Sequence, residues 1–366
     1  MAADSKIQFV STVQSDFYST LRDRVNNYFK QNGITSYANS FMVFKIIFFL
    51  AGLIGSYLFI LLGNPGLPLF YVSWIVLGFF TAFVGVNIGH DAIHGAISSN
   101  PKVNRALGFL FDVAGANSYV WNITHNQIHH TYTNIQDYDA DISTSPLIRM
   151  SPHQKLRKIH RYQHWYSFFL YCLTSLSWVF SKDYRRFFKD QIANQKLRKP
   201  KAIQYFNLFF FKALYYCLLL VLPLVFIDFA WWHILLGFVM MHFVEGFCLA
   251  IIIQMAHLVE RMDFPVPNKN GEIENSWAIH QMSTTTDFAR NNPLVSFFFG
   301  GLNFHIEHHL FQKICHVHHR PLSHIVKRTA LEFSVPYHEF VTLGSAVRSH
   351  LKFLKKMGRG EYSVAS

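Results

Sequence analysis

The sequence predicts an all-α integral membrane fold with four transmembrane helices arranged as two hairpins. Three observations carry that prediction. The 366 residues are 51% hydrophobic but only 15% charged, too oily for an ordinary soluble enzyme of this length. Four apolar runs, roughly 41–62, 67–89, 205–227 and 230–253, each reach the ~20 residues that a helix rising ~1.5 Å per residue needs to cross the hydrocarbon. Basic residues gather at one end of these runs and leave the other end bare.

Residues 1–40 are polar, with Lys6, Arg22, Arg24 and Lys30, and lack the apolar core and cleavage site of a signal peptide; they are expected to form a cytosolic N-terminal segment. The first two runs are joined by Asn64-Pro65-Gly66 and the last two by Asp228-Phe229, so each pair reads as a hairpin with an almost uncharged tip. Between the hairpins, residues 181–203 carry Lys182, Arg185, Arg186, Lys189, Lys196, Arg198, Lys199 and Lys201 against only Asp183 and Asp190. Positive charge of this kind stays in the cytosol, which puts both termini and residues 90–204 there.

A fifth apolar stretch, about 164–180, is short for a span and would separate the histidines described below across the membrane. It is expected to be an interfacial helix with Trp165, Tyr166 and Trp178 at headgroup depth. Lys45 and Lys212, near the cytosolic ends of their spans, are expected to snorkel. His242 and Glu245 lie in the inner half of the last span, either lining a substrate tunnel or forming a structural pair. Residues 41–330 form the membrane domain and 331–366 a cytosolic C-terminal tail.

The net charge of +12 comes without a basic helix, zinc-finger spacing or RNA-binding signature, so nucleic acid is not expected as a partner. The 38 Phe and 17 Tyr suit helices that face lipid. Cys172, Cys217, Cys248 and Cys315 are scattered, three of them in or beside apolar runs, and read as buried thiols.

The chemistry lies in the histidines. His90 and His94 follow the second span as HxxxH, which on a continuing helix puts two imidazoles on one face. His125, His129 and His130 form HxxxHH, adding a neighbour turned ~100° that can reach toward a second ion. His305, His308 and His309 form HxxHH. Eight imidazoles at one membrane border are too many for one tetrahedral zinc and suit two ions of higher coordination. The paired Glu-x-x-His motifs of carboxylate-bridged soluble di-iron bundles do not occur. Neutral ligands beside lipid point to activation of oxygen against an unreactive C–H bond, which needs a redox metal, and iron fits best. Asp91, Asp139, Asp141, Asp287 and Glu307 are close enough in sequence to accept the second imidazole N–H.

The runs GHDAIHG, HNQIHHTYTN ending in Asp137-Tyr138-Asp139-Ala140-Asp141, and GGLNFHIEHHLF resemble the three histidine boxes of the membrane fatty-acid desaturases, closest to the front-end and linoleoyl-CoA-type branch, over about residues 40–330. The resemblance implies a cytosolic helical cap holding two irons. It also implies insertion of a double bond into a long-chain acyl group, as acyl-CoA or acyl-lipid, using dioxygen and two electrons. A ninth ligand is implied at His257, with His280 as the substitute. Two features depart from that branch: His305 stands where the third box usually begins with Gln, and the HPGG motif of a fused b-type cytochrome is absent. The electron donor is therefore expected to be a separate ferredoxin or small cytochrome. Gln312 replaces a proline common after the third box, a change with no function attached to it. The basic 181–203 segment could dock an acidic electron carrier or the phosphates of an acyl-CoA or lipid headgroup, or be ordinary positive-inside charge. A hydroxylase would share the metal chemistry, whereas a metal transporter would carry its ligands midway through the spans.

Overall fold

In the computed structural model, residues 7–10, 16–142 and 145–362 are described; Lys6 and the outermost residues of both terminal segments lie outside them. From the N-terminus, α1 (Phe17–Asn32) leads into two apolar helices, α2 (Ser40–Leu62) and α3 (Leu67–Ile93). Next come α4 (Pro101–Val113) and α5, the continuous run of Ser118–Trp121, Asn122–His129 and His130–Tyr132. Then follow α6 (Gln163–Cys172) and α7, the run of Thr174–Ser177, Trp178–Lys182 and Asp183–Phe187. Two further apolar helices, α8 (Ala202–Phe226) and α9 (Trp231–His257), precede α10 (Trp277–Thr284) and α11 (Pro293–Phe298). The chain closes with α12 (His305–Leu310), α13 (His319–Glu332) and α14 (Leu343–Arg359). Strand pairing among the described residues is confined to three two-residue ladders, so the fold is helical as expected.

The four helices long and apolar enough to cross a membrane are α2, α3, α8 and α9. Two differ usefully from the apolar runs read in sequence. The second continues to Ile93 and so carries His90 on its last turn, and the fourth continues to His257. The central pair is α3 and α9, whose most apolar windows are 61% and 56% buried, against 17% for α2 and 22% for α8. Close approach explains the pairing. A Cβ at Gly78 of α3 would collide with the Met241 carbonyl of α9, so only glycine lets the two backbones meet. Trp74, Tyr215, Phe238 and Met241 fill the space between the helices. The outward faces of α2 and α8 are exposed and rich in Phe, including Phe41, Phe44, Phe206 and Phe209, as lipid-facing surfaces should be.

The 164–180 stretch is split between α6 and α7 at Leu173, and both lie against α9. Trp165 is 78% exposed, but Trp178 turns inward, its ring 6.3 Å from that of Phe111. Neither Lys45 nor Lys212 snorkels. Lys45 is buried with its Nζ 2.6 Å from His316 Nε2, and His316 donates from Nδ1 to Asp91 at 2.8 Å. Lys212 donates to Asp183 at 2.8 Å and to the Gly115 carbonyl at 2.6 Å. Both ammonium groups lie close to polar groups of other elements, which removes the reason to reach for water. Of the cysteines, Cys217 is exposed on α8 and only Cys315 is fully buried, because the apolar run around Cys217 faces outward.

Candidate metal centre

All three histidine clusters are placed by unusual backbone. His125 and His129 lie in a π-helical stretch, Asn122–His129, not in the regular α-helix that the spacing suggests. A second π stretch, Gly85–Gly89, immediately precedes His90. A π turn rotates less per residue than an α turn, which re-aims the side chains after it and is a recurrent device at functional sites. The third cluster is launched by Gly300 and Gly301, both with positive φ; a Cβ on Gly300 would strike the Val86 carbonyl at the π stretch of α3. The contact locks the third cluster against the first.

These elements bring all eight box histidines and His257 together, each of them buried. His90, His94, His125 and His308 have ligand atoms within 4.8 Å of one another, as do His129, His257 and His309. His305 joins the second group, with its Nε2 2.8 Å from that of His257. His130 lies between the groups, its Nε2 3.2 Å from that of His125 and its ring centroid 4.3 Å from that of His309. His280, the substitute for His257, stays outside both groups, with its ring 5.1 Å from Phe9.

The hydrogens on these rings show what the site is built for. His257 donates from Nδ1 to the Thr284 carbonyl at 3.1 Å and His305 to the Leu302 carbonyl at 3.1 Å, since a carbonyl can only accept. His129 donates to Asp139 at 3.0 Å and His309 to Gln281 at 2.7 Å. A neutral imidazole has one N–H, so the Nε2 atoms of these four rings are bare lone pairs. Yet His257 Nε2 faces His305 Nε2 at 2.8 Å and His129 Nε2 at 3.1 Å. Lone pairs held this close in a buried site repel unless a cation lies among them. In the first group, His94 donates to Gln312 at 3.1 Å, and the Nε2 atoms of His94 and His308, like that of His309 in the second group, are buried without a hydrogen-bond partner. The donor set therefore fits metal ions.

Electrostatics agree. Burial, reinforced by neighbouring imidazoles, holds His125, His130, His305, His308 and His309 well below the usual histidine range. His94 is lowered by burial and by His90. For His129 burial acts the same way, but Asp139 and then Asp141 reverse the shift, so its imidazole is the most basic of the set outside the spans.

Of the carboxylates picked out in sequence, Asp139 meets a histidine squarely. Asp91 lies 3.5 Å from His90 Nδ1 but is taken up by His316. Asp287 and Glu307 do not reach an imidazole; Tyr337 donates to Asp287 at 2.6 Å with its hydroxyl oxygen 3.2 Å from Glu307, and Asp287 accepts the Ile306 N–H at the start of α12. Sequence reasoning missed Gln281 and the acceptor role of Gln312, because nothing local distinguishes a glutamine that accepts from an imidazole 218 positions away.

A cavity of about 960 Å³ opens beside the first group. His125 and Trp121 line it together with the apolar side chains of Leu170, Trp178, Leu249 and Ile253. Trp121 stacks on His125 with centroids 4.1 Å apart. His242 and Glu245 lie outside this lining; His242 bonds to Ser175 and Tyr215, which makes the pair structural.

The family model described as Fatty acid desaturase matches residues 66–341. The chain is 34% identical to the sn-1 linoleoyl-lipid 6-desaturase of Arthrospira platensis, over 96% of its own length and 95% of that protein. It is likewise 34% identical to the sn-1 linoleoyl-lipid 6-desaturase of a Synechocystis species, over 98% and 99%. With the acyl-lipid (8-3)-desaturase of Physcomitrium patens it shares 35% identity, over 98% of this chain and 75% of that one.

Proposed function

This chain belongs to the fatty acid desaturase family, and from that premise we propose an oxygen-dependent enzyme that introduces a cis double bond into a long-chain acyl group carried on a lipid or on coenzyme A. The convergence of nine buried histidines, with bare Nε2 atoms 2.8–3.1 Å apart, is the observation that carries this reading. His90, His94, His125, His130 and His308 would hold one iron, and His129, His257, His305 and His309 the other. Such ions, when bound and reduced by a separate ferredoxin or b-type cytochrome, supply the chemistry that activates dioxygen against an unreactive C–H bond.

The chain's own residues do the positioning. The cavity walls exclude water and hold an apolar chain so that one C–C bond lies beside His125. Methylenes are chemically alike, so placement alone selects which pair loses hydrogen. Asp139 keeps His129 in the tautomer that presents Nε2, and Gln281 does the same for His309.

The almost uncharged hairpin tips, the basic 181–203 segment and the histidines at one border support two hairpins with both termini and the metal-binding cap in the cytosol. On this reading residues 1–40 and 331–366 flank the 41–330 membrane domain on that side.

Expression in a host with a matching electron donor should yield a new unsaturated acyl species, lost in His129→Ala and His308→Ala together with bound iron. Acyl chains that gain an oxygen atom instead of losing two hydrogens would identify a hydroxylase. An unchanged acyl profile across several donors and chain lengths would overturn the assignment.

A further inference from the structure

Most of α2 faces outward, and its buried residues are few: Met42, Lys45, Phe49 and Ile60. Positions 42, 45 and 49 share one helical face, so the one charged side chain of this span lies on the face that meets the rest of the protein. A buried ammonium on an apolar helix is costly unless it is bonded, and among the described residues no carboxylate lies within ion-pair distance of Lys45. Its ammonium donates instead to His316 Nε2 at 2.6 Å. His316 in turn donates to Asp91 Oδ2, from its ring at 2.8 Å and from its backbone N–H at 3.0 Å. Gly301, which launches the third cluster, also admits this ring: a Cβ there would come within 2.8 Å of the His316 Cβ.

What each group can do fixes the direction of these bonds. A carboxylate only accepts and an ammonium only donates, so His316 carries its hydrogen on Nδ1 and offers a lone pair at Nε2. Both ring nitrogens are then in use. That rules out Asp91, Cys315 and His316 as a further cation site, although their ligand atoms lie within 4.8 Å of one another. Burial and the Lys45 ammonium hold His316 below the usual histidine range, so a neutral ring stands between a cation and an anion. Asp91 is left with Oδ1 3.5 Å from His90 Nδ1. Asp139, otherwise bonded only to the backbone N–H groups of Asn134 and Asp141, stands 3.0 Å from His129 Nδ1. The two histidine groups are therefore backed unequally by carboxylate.

We propose that Lys45 and His316 are positioning residues for His90: through the neutral ring, the Lys45 ammonium draws Asp91 back from His90 and leaves the iron of the first group more readily reduced than the iron of the second, which His129 and Asp139 serve. The proposal rests on the di-iron desaturase reading and adds which ion takes the first electron, ferric becoming ferrous as the separate ferredoxin or cytochrome is oxidised by one electron. A carboxylate close to the N–H of a ligating imidazole makes the ring a stronger donor, which favours the ferric ion. Holding that charge back, with an ammonium behind it, favours the ferrous ion.

Stepwise reductive titration of the full-length, iron-loaded protein, read by Mössbauer spectroscopy, tests this, because it follows the oxidation state of each ion without turnover. Two couples should appear. Lys45→Gln keeps a donor to His316 but drops the charge, and should lower the higher couple by about tenfold in ferric-over-ferrous preference, which is ~59 mV for one electron. His316→Leu breaks the link and should shift that couple the same way. His316→Gln, whose amide can accept from Lys45 and donate to Asp91, should keep it near the parent value. Asp91→Asn should raise it, and Lys45→Gln/Asp91→Asn should bring it back. Asp139→Asn should move only the lower couple. The opposite signs of Lys45→Gln and Asp91→Asn mean that either variant alone is decisive if the other fails to fold. A role confined to fastening α2 would lower the thermal midpoints and leave both couples in place; that result overturns the proposal, as does a lower couple that answers to Lys45→Gln. A chain that takes up no iron overturns the metal reading itself, whereas two bound irons that no variant moves overturn only their inequivalence.

Discussion

Which nitrogen of an imidazole carries the hydrogen decides which atom of the ring can ligate, and at this site that choice is made mostly by partners far away in sequence. Gln312 fixes His94 and Gln281 fixes His309, while backbone carbonyls of Thr284 and Leu302 fix His257 and His305. Gln312→Ala removes the acceptor at His94, frees the ring to turn, and should weaken iron binding about 10- to 100-fold. Gln312→Glu, which keeps an acceptor, should restore it. Metal analysis after dialysis against a graded chelator reads this directly, and unchanged retention in the alanine variant would show that Gln312 is only a packing residue. The histidines themselves were legible in the sequence because three dense clusters beside long apolar runs have few other physical explanations. Of their partners, Asp139 was legible too, but Gln281 and Gln312 were not, because hydrogen bonds between residues 28 and 218 positions apart leave no periodic trace. Asp287 and Glu307 show the converse error. Proximity in sequence to the third cluster suggested contact with a ring, yet burial and the neighbouring Asp287 push Glu307 well up, and the two acids share Tyr337 at the start of α12 instead.

Among the elements, the four spans were readable to within a few residues, since hydropathy reports the cost of exposing a backbone to lipid. What hydropathy does not report is which face of a span is buried, and the snorkelling assigned to Lys45 and Lys212 failed on that point. Lys212 reaches across from α8 to Asp183 on α7 and to the Gly115 carbonyl beyond α4, tying three elements together at the base of the spans. Burial raises the Asp183 carboxyl even though Lys212 pulls it down. Lys212→Met should therefore strand a buried acid and cost about 3–5 kcal/mol, while Lys212→Met/Asp183→Leu should recover most of that loss by removing both charges. Thermal midpoints of the three proteins in one detergent measure the difference. A single variant as stable as the parent would mean that Asp183 finds water in place of Lys212. The π stretches are likewise invisible to periodicity, because one residue of altered register in an apolar run does not change its composition, though it re-aims His90 and His125.

At the scale of the whole molecule, the proposed metal site is also the place where the shorter helices join the four long apolar ones, since the gathered histidines come from the ends of α3 and α9, from α5 and from α12. Stability and metal content should therefore respond to pH together, with a sign fixed by the histidines. His94, His125, His130, His305, His308 and His309 are all held below the ordinary value near 6.5, and His280, His319 and His350 lie at about 4, each with burial as the largest cause. Unfolded chains take up protons at these positions as pH falls through about 6.5, whereas the folded protein does not until far lower. The stability these groups contribute is complete above that pH and is lost on acidification between about 6.5 and 4. His129, raised by its carboxylate neighbours, has the opposite sign, as do the carboxyls of Asp112, Asp183, Asp263, Asp287 and Glu307, raised chiefly by burial, but the nine lowered imidazoles outnumber them. A chelator-treated sample should show a thermal midpoint that is level above about pH 7 and drops steadily below 6.5. The iron-loaded protein should begin higher and release metal over the same interval, since each proton taken by a bare Nε2 displaces a coordinate bond. A midpoint that held steady or rose on acidification would mean that the imidazoles are protonated in the folded state, and then the lone pairs facing each other at 2.8 Å could not be the feature that calls for a cation.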